Sequence, residues 1–463
     1  MVNFQCKIVK GNIPDPVMDR ITKLRSYGYE AWIVGGASLY HYAGNHLNID
    51  KYKTPPKDYD LFTNCTSEVL FKIFNDIKPI GGQERLSRIF TVVTSDGIEI
   101  STYRQGGKRE EVGFKITDHL VTCDYTINSI AYDGEVLIIP ETINDHLKDN
   151  KLVSMGNPQD RIDEDNNRLM RGFRFTGKYN LYIEPKLYKV LQNTDLSKIP
   201  VENIRDEFFK LIKYPHGLNA FIASGKFFEL FPEMKQMINL YGQSVYHEED
   251  VWDHSLTTYI QMSKLTDDPI LLFTALFHDY GKLYTKDSEG RFIKHDEIGS
   301  EKLQSILIRL KIKTKDQKRI LWLVKNHMWV LNGESKKRKK WFRFFNSMED
   351  SGSTYSDFMF IRYTDHISKK LNGSYLHENE STMNFYEFIK SNVITEWVIL
   401  YTSGQYPKRT NNLNINGNDI ISLGIPPGPK IGLILNKLYE MVIADELPNI
   451  HDKLIDQVKK WIK

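Results

Sequence analysis

The strongest constraint on this chain is a change of hydrophobic rhythm between residues 140 and 158. Over residues 28–135 short apolar runs are cut by turn residues. "YEAWIVGG" runs into paired glycines, "KDYDLFTN" alternates acidic and apolar residues, and "IFTVVTSDGIEISTYR" and "TINSIAYDGEVLII" each read as a β-hairpin. "SEVLFKIFNDI" has helical spacing. From about 158 the pattern turns helical, in "DEDNNRLMRGFRFTGKY", "EPKLYKVLQN" and "NIRDEFFKLIKY", and from 250 to 375 it is almost wholly so. The stretch 403–419 reads as a long loop, followed by a last helical pair around "PPGPKIGLILNKLYEMV". A mixed sheet with helices, followed by an all-α remainder, makes the class α+β.

At 463 residues the chain has room for about three domains. Its 62 Lys+Arg and 59 Asp+Glu leave a net charge of only +3, so binding to nucleic acid has to come from local basic patches. Cys6, Cys65 and Cys123 form no CxxC pair, which excludes a thiolate zinc module and points to a reducing compartment. The start "MVNFQCKIVKGNIPD" has no apolar signal core and no run nears the length of a membrane span, so the expected location is the cytoplasm, with no membrane partner.

Two groups of residues carry chemistry. In the first, Asp58 and Asp60 stand at i and i+2 in "PPKDYDLFT", which on a strand puts both carboxylates on one face, close enough to share a divalent cation. Gly35 and Gly36 follow an apolar strand, where a turn without side chains lets backbone N–H groups approach a phosphate. Glu99 lies between Ile98 and Ile100 and so faces away from them. It is a third carboxylate for a two-metal site acting on a phosphoryl group. Asp165 and Arg168 are three apart, the spacing of neighbours on one helical face. An acceptor beside a fork of donors can read the Watson–Crick edge of a base without a template.

The order GG, DxD, "IEISTYR", "DYTINSIAYD", "DRIDEDNNRLMRGFRF" resembles the class II CCA-adding enzyme and bacterial poly(A) polymerase family, which belongs to the polymerase-β-like nucleotidyltransferases. The resemblance covers residues 28–185 and returns at "GNDIISLGIPPGPKIGLILNKL". It implies that Asp58 and Asp60 hold Mg2+ and that Glu99 activates an RNA 3′-hydroxyl. It further implies that Asp124 and Asn128 contact the nucleotide sugar and that Asp165 and Arg168 select the incoming base, with Arg171 and Arg174 continuing that helix. The implied partners are CTP, ATP and the 3′ end of tRNA or another RNA. Three departures stand out. Leu39 and Tyr40 replace the Arg-Asp of GGxVRD, Thr122 and Cys123 replace the two arginines of RRD, and the stretch from Gly36 to Asp58 is long. Each missing arginine removes charge-assisted hydrogen bonds worth on the order of 1.5–3 kcal/mol. Lys51, Lys53 and Lys57 of the inserted stretch are candidates to supply that charge.

The second group is His254, the adjacent His278 and Asp279, His295, His327 and Asp365, each expected at or near a helix end so that the tips converge on a cation. Imidazole with carboxylate suits a divalent metal such as Ni2+, Mn2+, Co2+ or Zn2+. The order H…HD…H…H…D, with Lys282 completing HDxGK, resembles the HD phosphohydrolase superfamily, and "YHEEDVWDHSL" is similar to the HD domain fused to some CCA-adding enzymes. That resemblance implies a metal-dependent phosphohydrolase that opens 2′,3′-cyclic phosphates. A last feature, "SKKRKKWFRFF", reads either as a grip on RNA phosphates or as a solvated helix face.

The expected organisation is a nucleotidyltransferase head at 1–140, a helical neck at 141–235, an HD domain at 236–400 and a helical tail at 401–463. The expected function is template-independent nucleotide addition to tRNA 3′ ends, with a second hydrolytic activity. Two alternatives stay open: an HD phosphohydrolase with a degenerate head, and a poly(A) polymerase.

Overall fold

The computed structural model describes residues 2–80, 91–105, 108–242, 249–329, 338–371, 384–390 and 394–462, with the backbone alone at 105, 108–112, 370–371 and 390. The chain forms two compact units, Met1–Pro232 and Glu233–Lys463.

The first unit is built on strands β1 (Phe4–Ile8), β2 (Ala31–Val34), β3 (Asp60–Thr63), β4 (Ile77–Pro79), β5 (Thr91–Thr94), β6 (Glu99–Thr102), β7 (Arg104–Gln105), β8 (Lys108–Val112), β9 (Ala131–Tyr132) and β10 (Val136–Pro140). Eight of them form one sheet in the order β1-β10-β9-β2-β3-β6-β5-β4, and β7 pairs with β8 apart from it. Within the large sheet β3 and β6 run parallel, and the other neighbours are antiparallel. Both central strands repeat one alternation, an exposed acid followed by a buried aliphatic: Asp60 then Leu61, and Glu99 then Ile100. Leu61 pairs with Ile100 in register, and both are fully buried. Burying such side chains is worth about 1.5–3 kcal/mol each. A one-residue slip would expose them and bury the acids, so the core fixes where the carboxylates stand.

Strand β1 and the helix Asp15–Ser26 lie outside the segments the sequence pattern marks. β1 carries Ile8 83% exposed, and its place at the sheet edge comes from its pairing with β10. A helical region follows, in which Phe173, Phe208, Phe221, Phe227 and Phe231 pack ring against ring. Gaps in hydrophobic spacing there coincide with helix breaks, including the one between Pro158–Glu164 and Arg168–Lys178.

The second unit is helical. Val251–Ser263, Pro269–Phe277, His295–Arg309, Thr314–Asn326, Arg338–Ser351 and Tyr355–Leu371 come first, then Ile394–Thr402, Gly417–Ser422, Pro429–Ile443 and His451–Ile462. The last helices close their own apolar cluster around Ile420, Leu438, Val442, Leu454 and Val458. The described part of the run "SKKRKKWFRFF" is one helix with its aromatic residues turned inward and Lys340 and Arg343 exposed on the other side. Trp341 and Phe342 are buried, Arg338 pairs with Asp445, and Lys339 and Arg343 pair with Glu440, which ties this helix to Pro429–Ile443. Lys336 and Lys337 lie outside the described residues. Among the described residues no helix is long and apolar enough to cross a membrane.

Candidate functional site

In the first unit the glycine turn comes straight off β2. Gly35 adopts φ +86°, which an L side chain rarely tolerates, and Gly36 opens the short helix Gly36–Leu39. Asp60 opens β3 and stands in register with Glu99 on the parallel neighbour β6. Asp58 lies just ahead of the strand rather than on it, and it borders the same concavity as Asp60. Asp60 is solvent-accessible, yet the surrounding protein and the like charges of Glu99 and Asp58 push its pKa up to about 6. Such mutual repulsion among hard oxygen donors is what a divalent cation relieves, so the donor set fits Mg2+. Among the described residues these three do not draw all their ligand atoms within 4.8 Å of one another.

Asp124 and Asn128 are buried, and the Asn128 amide donates to Asp124 Oδ1 at 2.8 Å. Burial opposes the Asp124 charge, but Arg171, whose Nε donates to Oδ2 at 2.6 Å, helps to hold its pKa below the ordinary carboxylate range. Arg174 is paired with Glu207 at 2.6 Å, and its guanidinium lies 4.2 Å from the centre of the Phe175 ring.

The expectation that Asp165 and Arg168 share one helical face is wrong. The helix Pro158–Glu164 ends before Asp165, which takes extended angles (φ −154°, ψ 100°), and a new helix starts at Arg168. The Asp165 carboxylate turns to Asn167, accepting from its backbone N–H and its side-chain amide. Arg168 donates to Glu164 and to the carbonyl oxygens of Arg161 and Thr122. The pair still meets in space. Gly35, Gly36, Asp60, Glu99, Asp124, Asn128, Asp165, Arg168, Arg171 and Arg174 all line one cavity. Sequence reasoning missed Arg104 and Lys178, which line it too. Arg104 was within reach of that reasoning, because it follows two residues after the strand that carries Glu99 and opens β7. At the positions that lack arginine, Thr122 is buried and the Cys123 thiol is pushed up to about 12 by burial and the nearby Asp124 charge, so neither brings positive charge.

The second unit gathers all six expected ligands. His254 lies in the first turn of Val251–Ser263, His278 and Asp279 just past Pro269–Phe277, His295 at the start of its helix and His327 just past Thr314–Asn326. Asp365 departs from expectation, because it sits well inside Tyr355–Leu371. The six are nearly inaccessible, at most 8% exposed. Asp365 Oδ1 is 3.0 Å from His254 Nε2 and 3.7 Å from His278 Nε2. Asp279 reaches His278 at 3.3 Å, His295 at 3.2 Å and His327 at 3.6 Å. Gly281 makes this approach possible, since a Cβ there would stand 1.9 Å from the carbonyl oxygen of His295.

The hydrogen bonds orient the imidazoles. The Nδ1–H of His278, His295 and His327 donates to the carbonyl oxygens of Ala275, Phe292 and Val324, and His254 Nδ1 meets Glu249. A carbonyl can only accept, so Nδ1 of His278, His295 and His327 carries a proton and their Nε2 atoms face the centre, whereas His254 lies between two acceptors, Glu249 at Nδ1 and Asp365 at Nε2. His278 Nε2 is buried without a partner of hydrogen-bond geometry. His254, His278 and Asp365 form one group with ligand atoms within 4.8 Å, and His278, Asp279 and His327 form another. The set fits one or two divalent metals. Lys282 and Lys369 donate to Asp279 Oδ2 and Asp365 Oδ2 at 2.6 and 2.8 Å.

Comparison with known proteins agrees with this geometry. The HD domain family matches residues 251–354, and tRNA nucleotidyltransferase domain 2 matches 394–458. Poly(A) polymerase I of Escherichia coli is 27% identical over 304 residues, 59% of this chain, which spans 62% of that polymerase's length. The CCA-adding enzyme of Ligilactobacillus salivarius is 24% identical over 478 residues, covering 98% of both chains. The crystal structure of the Bacillus stearothermophilus CCA-adding enzyme in complex with CTP shares the fold, with a TM-score of 0.59 at 17% identity over 97% of this chain and 98% of that one. The chain is thus similar along its length to a CCA-adding enzyme and over part of it to a bacterial poly(A) polymerase, and residues 251–354 match the HD domain family.

Proposed function

We propose that the chain adds nucleotides from CTP and ATP to the 3′ ends of tRNA in the cytoplasm, and that its HD domain hydrolyses phosphate groups on RNA ends. The observation that carries the first part is the parallel register of Asp60 and Glu99 at the mouth of a cavity that also holds Asp124, Asp165 and Arg168. Asp58 and Asp60 hold Mg2+, which when bound neutralises charge on the phosphates. Glu99 accepts the proton of the RNA 3′-hydroxyl as it attacks the α-phosphate, and pyrophosphate leaves. Asp124, kept ionised by Arg171, fixes the sugar together with Asn128. Asp165 and Arg168 offer acceptor and donors to the base edge from the break between two helices. In this organisation 1–140 is the head, 141–235 the neck, 236–400 the HD domain and 401–463 the tail.

For the second part, His254, His278, Asp279, His295, His327 and Asp365 hold a transition metal such as Ni2+, Mn2+, Co2+ or Zn2+, which when bound lowers the pKa of its water. Opening a 2′,3′-cyclic phosphate and freeing the 3′-hydroxyl would convert a damaged end into one the head can extend. The uncharged Leu39, Thr122 and Cys123 favour a second reading, in which hydrolysis is the main activity and the head only binds RNA. The test is to incubate the protein with tRNA lacking its terminal CCA and each labelled nucleotide in turn. Ordered C, C, A addition supports the first reading, and long A tails mark a poly(A) polymerase. Absent incorporation with intact metal-dependent hydrolysis supports the second.

A further inference from the structure

The cations around the head site fall into two groups. Arg168 is committed to Glu164, Arg171 to Asp124, and Arg174 and Lys210 to Glu207. Lys51, Lys57 and Lys178 have no carboxylate partner among the described residues. All three line a second cavity that meets the first along Gly36, Asp60, Arg174, Lys178 and Tyr179. Leu39 and Tyr40, which stand where the family motif has Arg-Asp, line this second cavity as well. Lys53, the third lysine of the inserted stretch, turns away to Asp50 at 2.6 Å and does not line it.

The insertion is held in place by packing. Tyr52 is 3% exposed and its ring centre lies 5.2 Å from that of Tyr179, next to Lys178 on the helix Arg168–Lys178. Lys51 spans the Tyr52 ring and donates to Asn150. One tyrosine contact thus brings the inserted stretch and the neck helix together at the edge of the acidic pair Asp58 and Asp60. Three ammonium groups without a carboxylate partner among the described residues, beside a glycine turn and a carboxylate pair, suit a compact polyanion that also carries a divalent cation.

We propose that Lys51, Lys57 and Lys178 bind the β- and γ-phosphates of the incoming nucleotide, supplying the positive charge that Leu39, Thr122 and Cys123 do not. This assignment rests on the nucleotidyltransferase reading of the same site. Its consequence is chemical: ammonium groups hold phosphate as point charges without the bidentate geometry of arginine. Binding therefore depends on charge number more than on side-chain shape.

The test is binding of inorganic tripolyphosphate with Mg2+ to the full chain by calorimetry, alongside binding of labelled tRNA lacking CCA. Lys57→Met and Lys178→Met are each expected to weaken tripolyphosphate at least tenfold and to leave RNA affinity within twofold. Lys57→Arg and Lys178→Arg should restore binding, and Lys53→Met should change nothing. Unchanged tripolyphosphate affinity in both methionine variants overturns the proposal. So does a fall in RNA affinity alone, which would make these lysines contacts for the RNA backbone. A wild-type protein that binds tripolyphosphate through these lysines but incorporates no nucleotide upholds the phosphate site and refutes the polymerising function. Thermal unfolding of each variant separates lost binding from lost folding.

Discussion

On the proposed reading, the first-unit site and the HD centre answer the same problem, holding cations against phosphate, in opposite ways. The head displays Asp60 and Glu99 on neighbouring strands, open to solvent and repelling each other. Its Asp124 is neutralised by one arginine, and its cations are split between committed arginines and uncommitted lysines. The HD centre buries four imidazoles and two carboxylates, and every imidazole has its Nδ1 within hydrogen-bond distance of a carbonyl or carboxylate. An open site gains its order from the ligand it binds, whereas a buried one must be arranged before the metal arrives, because unpaired polar groups there are costly. Departures from a family pattern accordingly gather in the open site, where loops and helix ends can exchange roles.

The largest expected effect breaks the two sites apart. Asp60→Asn should lower nucleotide incorporation on the order of a hundredfold to a thousandfold, the scale of losing a group that stabilises transition-state charge. Metal-dependent hydrolysis of a cyclic-phosphate end should stay intact. A parallel loss of both activities in a folded variant would mean that the sites do not work independently. Next is the arrangement of the HD centre. Glu249 meets His254 at Nδ1, 3.0 Å away and on the far side of the ring from Nε2, so Glu249→Gln should lower metal affinity about ten- to a hundredfold without removing one of the six ligands. Metal content after dialysis, with the protein still folded by circular dichroism, is the readout, and unchanged content would show that the outer hydrogen bond is dispensable.

The smallest effect concerns stability. Burial drives the pKa of His41 down to about 4 and that of His119 down to about 3, with Arg104 adding to the effect at His119. The unfolded chain takes up these protons near pH 6.5, whereas the folded head does not. Their stabilising contribution is therefore complete above that pH and is lost as pH falls toward 4 and 3. The slope is about 1.4 kcal/mol per pH unit for each histidine below 6.5. Denaturant midpoints from pH 7 to 5 should fall, and they should fall less in His119→Gln. An identical slope in that variant would remove His119 as a cause.

Much of this molecule is legible in the sequence because short-range rules govern it. The alternation around Asp60 and Glu99 fixes which face each residue takes, so two strands and the acids they carry follow from a period of two. The apolar helix ending in His278 and Asp279 likewise places its ligands at a helix end. The rule of three residues failed at Asp165 and Arg168, because it presumes an unbroken helix and the helix stops at Glu164. It failed more mildly at Asp365, a ligand delivered from within a helix.

Residue types and local periods were set by the sequence alone: the carboxylates, the histidines, the missing arginines and the alternation of sheet and helix. Tertiary structure decided the partners. It bound Arg171 to Asp124, His254 to Asp365 and Arg343 to Glu440, seated β1 at the sheet edge, and drew Lys178 and Lys51 to one cavity through Tyr52 and Tyr179. The physical reason is distance along the chain. Periodicity tells a side chain which way to face, but what it meets there depends on packing between segments tens of residues apart or more, which no local spacing records.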